Sequence, residues 1–225
     1  MRKKYLWIFL MSFLTLSCCQ ISTNENIDLT KQNVIIPTEK IELWNGKDFS
    51  NWITFSPDTN VDVNSVWSVQ ENIIHCSGNP VGYIRTKENY ANYKLIVTWR
   101  WPAEPGNSGV LLHAQSPDLV WPKCIEAQLM SGDAGDFYVI NGTDFTELID
   151  KNSRRLAKQK SNSEKPIGQW NKYEIICKNN SIELFVNGVF QNKASNCTVQ
   201  SGTIGFQSEG KPIQFKEIYL EPIDY

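Results

Sequence analysis

The chain predicts an all-β domain, and three features of its pattern carry that prediction. From Ile41 onward, short runs rich in β-branched and aromatic residues follow one another closely. Turn residues stand between them, with Lys178-Asn179-Asn180-Ser181 and Asn187-Gly188 each separating two β-type runs. No stretch sustains an apolar repeat of helical period, and Arg154 to Lys160 is at most a short surface helix. Many short strands joined by close turns make a sandwich or a barrel.

Taken in order, the strands are Trp67 to Gln70, Ile73 to Cys76, Gly82 to Thr86, Tyr93 to Trp101 and Gly109 to Ala114. Ile125 to Met130, Phe137 to Ile140, Tyr173 to Lys178, Ile182 to Asn187, Thr203 to Gln207 and Gln214 to Glu221 follow. Successive side chains on a strand point to opposite faces, so alternation sorts them. Ile125, Ala127 and Leu129 form an apolar set, which sends Glu126 and Gln128 together to the other side. Tyr93, Leu95, Val97 and Trp99 form a second such set, opposite Lys94, Thr98 and Arg100. In the third strand Val110 and Leu112 oppose Leu111 and His113. A second face carrying Arg100, His113, Glu126 and Gln128 is therefore expected, and a few hydrogen-bonding groups among aromatics suit a concave ligand surface.

The 225 residues are enough for one sizeable domain with a full core. Net charge is −2, from 22 basic and 24 acidic residues without a basic stripe, which excludes an electrostatically driven nucleic-acid partner. The basic group Lys151, Arg154, Arg155, Lys158 and Lys160 reads as a solvated loop. Eight tryptophans are more than a core requires; strand packing and sugar-ring stacking both account for them.

Residues 1–18 read as an export leader: Arg2, Lys3 and Lys4 precede an apolar run too short to span a bilayer comfortably. The run ends at Ser17-Cys18-Cys19, which resembles a bacterial lipobox. Ser17 suits cleavage before Cys18 and Leu16 suits cleavage before Cys19, so both cysteines are lipidation candidates. Residues 19–40 then form a polar tether, and 41–225 the domain. This organisation predicts an exported protein of the cell envelope, periplasmic or cell-surface, held to the membrane by its lipid. Export permits disulfides among Cys76, Cys124, Cys177 and Cys197, with three pairings available. A small buried hydrophobe is the default role of Cys124 and Cys177.

Several segments in order resemble the 3-keto-disaccharide hydrolase domain family. They are Leu43-Trp44-Asn45-Gly46-Lys47-Asp48-Phe49-Ser50-Asn51-Trp52, Trp67-Ser68-Val69, Thr98-Trp99-Arg100, Asn107-Ser108-Gly109-Val110 and Ile125-Glu126-Ala127-Gln128-Leu129. Trp170-Asn171-Lys172-Tyr173-Glu174, Val186-Asn187-Gly188 and Gly202-Thr203-Ile204-Gly205-Phe206-Gln207 close the series. The resemblance spans about Ile41 to Glu221. It implies a concanavalin A-like jelly-roll sandwich of two antiparallel sheets, with a sugar-handling cleft on the concave one. It also implies an oligosaccharide or glycoside substrate already oxidised at C3. One departure stands out: Ser131 occupies a position where many members have Asp, and the acids come later, at Asp133 and Asp136.

Two-carboxylate glycoside hydrolysis needs an acid on each side of the scissile bond. Laminarinase-type sandwiches place them as Glu-x-Asp-x-x-Glu, whereas this chain has Glu126-x-Gln128-x-x-Ser131. A C3 ketone opens another route, because it acidifies the C2 proton. One base removes that proton, the C1 substituent leaves, and water adds back. On this expectation Glu126 or His113 is the base, and Arg100 or Asn107 stabilises the enolate. Tyr83, Tyr138 or His113 is the acid, and Gln128, Ser108 and Asp136 complete the substrate contacts. A divalent metal near Glu126, His113 and Asp136 is a further candidate, although no ligand spacing argues for it. The alternative is a non-catalytic glycan-binding module on the same fold.

Overall fold

The computed structural model describes residues 33–223. The leader, the tether up to residue 32 and both lipidation candidates lie outside the described residues. Two antiparallel sheets pack face to face. The first has seven strands, in the spatial order Arg155–Leu156, Phe137–Ile140, Cys124–Gln128, Gly109–Ala114, Thr203–Ser208, Gly82–Thr86 and Trp52–Phe55. The second runs Val189–Ala194, Ser181–Val186, Asn171–Lys178, Tyr93–Arg100, Ile213–Glu221, Ile73–Cys76 and Trp67–Gln70, with Ile41–Glu42 beside Ile213–Glu221 as its eighth strand. This is the expected jelly-roll sandwich.

The core lies between the sheets. Phe206 of the seven-stranded sheet meets Phe215 of the other at 5.1 Å between ring centroids. Trp99, Tyr93, Tyr173 and Phe137 are fully withdrawn from water around them. Each such side chain contributes roughly 1.5–3 kcal/mol of burial. Alternation holds where one face meets solvent: Tyr173, Ile175 and Cys177 point inward, as do Ile182, Leu184 and Val186. Asn187 and Gly188 turn that hairpin with φ of 51° and 79°, the pair of left-handed residues that matches strand twist.

Some elements differ from expectation. The Asn187-Gly188 hairpin continues into Val189–Ala194, and Trp52–Phe55 closes an edge of the first sheet. Arg154 to Lys160 holds no helix; Arg155–Leu156 is an edge strand, fixed by the bond from Arg155 to Asp136. Val63–Val66 is a single helical turn capped by Asp62, whose side chain accepts from the Asn64 amide. Val34–Ile35, within the span read as tether, pairs in parallel with Asn89–Tyr90. All four cysteines from Cys76 to Cys197 are buried free thiols.

Three strands of the seven-stranded sheet, Gly109–Ala114, Cys124–Gln128 and Thr203–Ser208, are buried along their whole length. Burial on both sides means that something besides the core covers the outer face. The connection from Gln115 to Lys123 does part of this: Asp118 accepts from Arg85 and from the Tyr83 hydroxyl on that face.

Candidate functional site

A cavity of about 250 Å³ opens on the outer face of the seven-stranded sheet, over Glu126 and Gln128. Strand register assembles it. Glu126 lies between Leu111 and Tyr138 on neighbouring strands, and Gln128 lies opposite Gly109. A methyl built on Gly109 would stand 2.0 Å from Glu126 Oε1 and 2.6 Å from Gln207 Oε1. Glycine leaves room there for the carboxyl as it stands, and any larger residue would displace the ends of both side chains. The Gln128 oxygen accepts from the amides of Leu129 and Met130, both at 2.8 Å. Its amide hydrogens are left for the cavity.

Two carboxylates line this space: Glu126 and, from the turn after Thr203–Ser208, Glu209. Their surroundings differ. Glu126 is 5% exposed, and its Oε1 has no hydrogen-bond partner. Burial, and next the charge of Glu209, push its pKa up to about 8, against weaker pulls from Arg154 and the Gln207 amide. Burial also raises the pKa of Glu209, but an Asn107 hydrogen bond and the Arg154 charge oppose it. Asn107 is tied to this turn by backbone bridges to Glu209 and Gly210. Tyr138 stands beside Glu126, its phenol raised by burial. The cavity thus holds a deeply buried carboxyl pushed toward its neutral form beside one whose ionised form an Asn107 hydrogen bond and the Arg154 charge favour.

Of the expected residues, Glu126, Gln128, Asn107 and Tyr138 meet at this cavity; five others are elsewhere. Arg100 belongs to the eight-stranded sheet, where it donates to Gln214 at 2.6 Å and lies over Trp170. His113 fails because alternation breaks beside it. Leu111 pairs with Gly205 and Ala114 with Thr203, so Leu112 and His113 together face Ile204. His113 takes φ 55°, and its ring turns into the core, edge-on to Tyr93 at 5.6 Å. Burial drives its pKa down to about 4. Ser108 points to the core side and donates to the Gln207 carbonyl. Asp136 is buried beneath Arg155 at 2.6 Å and accepts from the Lys158 amide at 2.8 Å, which makes it an anchor for that edge. The Tyr83 hydroxyl is spent on Asp118 at 3.0 Å, outside the cavity. The proposed metal trio of Glu126, His113 and Asp136 does not converge, and the described residues hold no cluster of three such ligands.

Sequence reasoning missed Glu209, Arg154, Trp121, Met130 and Ile140, all of which line the cavity. Trp121 carried a signal, being a tryptophan between Pro117 and Pro122 in a connection. Arg154 was visible only as one basic residue among five. Glu209 had no local mark.

A family model described as a 3-keto-alpha-glucoside-1,2-lyase-like domain matches residues 39–221. Among solved structures, a protein from Parabacteroides distasonis provisionally named a glycosyl hydrolase aligns with TM-score 0.61 and 22% identity, over 83% of this chain and 94% of that one. Carbohydrate binding module CBM66 from Bacillus subtilis aligns with TM-score 0.55 and 9% identity, over 78% and 98% of the two chains. A Bacillus licheniformis beta-glucanase aligns with TM-score 0.52 and 12% identity, over 81% and 97%. No curated protein matches this chain.

Proposed function

Because the chain belongs to the 3-keto-alpha-glucoside-1,2-lyase-like domain family, a carbohydrate-active family, we propose that it cleaves the glycosidic bond of 3-keto-glycosides by elimination followed by hydration. The observation that carries this reading is the unequal carboxyl pair, Glu126 and Glu209, on one cavity with Gln128, Asn107 and Arg154. Ionised Glu209 removes the proton from C2, which the C3 ketone has acidified. The electrons form the C1–C2 double bond as the C1–O bond breaks. Neutral Glu126 gives its proton to the departing oxygen, so the aglycone leaves as an alcohol. The Arg154 guanidinium and the Gln128 amide hydrogens stabilise the charge that builds on the C3 oxygen. Water then adds its hydroxyl to C1 and a proton returns to C2, so that the net change is hydrolysis.

Deuterium tests this route. Cleavage of a 3-keto-glucoside in D₂O is expected to place one deuterium at C2 of the released sugar. Release of the aglycone with C2 still protonated overturns elimination. The alternative reading, a glycan-binding module, predicts tight binding of the same compound with no aglycone released. We further propose an exported, lipid-anchored envelope protein, on the strength of the positive start, apolar run and cysteine pair at the N-terminus.

A further inference from the structure

The cavity has two unlike ends. Toward Gln128 the lining is mostly polar, with Asn107, Gln128 and Glu209 beside the thioether of Met130. Toward Cys124, which pairs with Ile140, the lining is Trp121 and Ile140, with Arg154 at the edge where its carbonyl accepts from the Val139 amide. Beneath that end lies a small apolar cluster separate from the main core, made of Tyr83, Leu111, Ala114, Cys124 and Ile140 with Phe55 against it. Glu126 sits at the border, with Leu111 on one side and Tyr138 on the other.

Trp121 is 41% exposed, yet the connection that carries it is braced. Asp118 accepts from Arg85 Nε and Nη2, each at 2.6 Å, and from the Tyr83 hydroxyl. The base of the connection is closed by the Gln115 amide donating to the Lys123 carbonyl at 3.0 Å. The backbone that carries the half-exposed indole is therefore fixed on both sides of it. Asp118, Arg85 and the Tyr83 hydroxyl bind one another and are spent, which leaves the indole of Trp121 as a broad apolar surface for a flat ring.

We propose that the apolar end, walled by Trp121 and Ile140, is the leaving-group subsite and takes an aryl or similarly flat apolar aglycone in preference to a second sugar. This rests on the reading that the protein cleaves 3-keto-glycosides, with the oxidised sugar ring over the polar end. Trp121 is then a specificity-determining residue, and Asp118 and Arg85 brace the connection that carries it.

The test compares three 3-keto-glucosides, each as both anomers: methyl, benzyl and a glucosyl-glucose disaccharide. Methanol and benzyl alcohol are leaving groups of similar acidity, so a difference between them reports the subsite. The benzyl compound is expected to show kcat/KM at least tenfold above the disaccharide. Trp121→Ala is expected to raise KM for the benzyl compound at least about fivefold more than for the methyl compound, and Trp121→Phe to keep most of the benzyl advantage. A disaccharide cleaved as well as the benzyl compound overturns the inference, as does a Trp121→Ala loss that is equal for methyl and benzyl. If the wild-type protein cleaves none of the three, the functional reading fails instead. Calorimetric binding then decides the subsite: benzyl favoured over methyl in wild type but not in Trp121→Ala supports it, and equal affinities overturn it.

Discussion

The Glu126 side chain leans diagonally over Gly109 of the adjacent strand, so closely that one methyl on the glycine would sit 2.0 Å from the carboxyl oxygen. The position of the acid is thus set by what its neighbour lacks. Gly109→Ala is expected to force Glu126 and Gln207 aside. A displacement of about 1 Å at a reacting group can cost 10²-fold in rate, so kcat should fall by roughly that factor. Because both displaced groups are side-chain ends beside an open cavity, stability should change by less than about 1 kcal/mol. Steady-state kinetics and urea unfolding measure the two effects, and a fully active Gly109→Ala protein would remove Glu126 from the chemistry.

The pH profile follows from the carboxyl pair. Glu126 acts as the protonated acid, and its pKa is about 8. Activity should therefore fall as pH rises through that value, about tenfold per unit beyond it. Glu209 acts ionised, and its pKa is raised above 4.5, so the acid limb should lie above 4.5. Glu126→Gln should lose turnover and keep binding. A kcat/KM profile that stays flat through pH 9 contradicts the assignment of Glu126 as acid.

The same group links stability to pH. Its pKa of about 8 in the folded protein stands above the value of 4.5 that it takes when unfolded. Below both values the group is protonated in both states and costs nothing. As pH rises between them, the unfolded chain ionises first, and the fold loses up to about 1.4 kcal/mol per unit from this residue. Urea midpoints across that window should slope downward in wild type and less steeply in Glu126→Gln.

Asp136 is expected to report on structure alone. Asp136→Asn weakens a bond to half-exposed Arg155 and leaves Lys158 an altered acceptor. A loss of about 2 kcal/mol is expected, with kcat changed by less than about threefold. A large kcat effect in a stably folded Asp136→Asn protein would return this residue to the site.

Asp118→Asn should loosen the connection above the apolar end. Amide exchange within residues 115–123 should rise, while the strands Gly109–Ala114 and Cys124–Gln128 stay protected. Unchanged exchange there would mean that the Arg85 bonds do not brace Trp121.

The sandwich was legible in the sequence because strand alternation and the Asn187-Gly188 turn are local properties. Glu126 and Gln128 were legible for the same reason, since their apolar neighbours Ile125, Ala127 and Leu129 dictate the face. Arg100 was sorted correctly within its own strand. Alternation, however, does not tell which strands share a sheet, and Arg100 belongs to the other one. His113 was lost to one extra residue in a bulge, which turns its ring into the core with nothing in the neighbouring residues to announce it. Glu209 was invisible because it reaches Glu126 only through the pairing of Thr203–Ser208 with Gly109–Ala114 and the bridge to Asn107. The single carboxylate of the sequence reading is therefore a pair.

The closure of the Gln115–Lys123 connection at its own base separates two kinds of inheritance. Gln115 and Lys123 hold the ends together, and Asp118 pins the middle to Arg85. Leu119, Val120, Trp121 and Pro122 lie between these fixed points without setting the register of any strand. On the proposed leaving-group subsite, selection can rewrite those four residues, and with them the molecules a descendant accepts, while the strands beneath keep the close approach of Glu126 to Gly109.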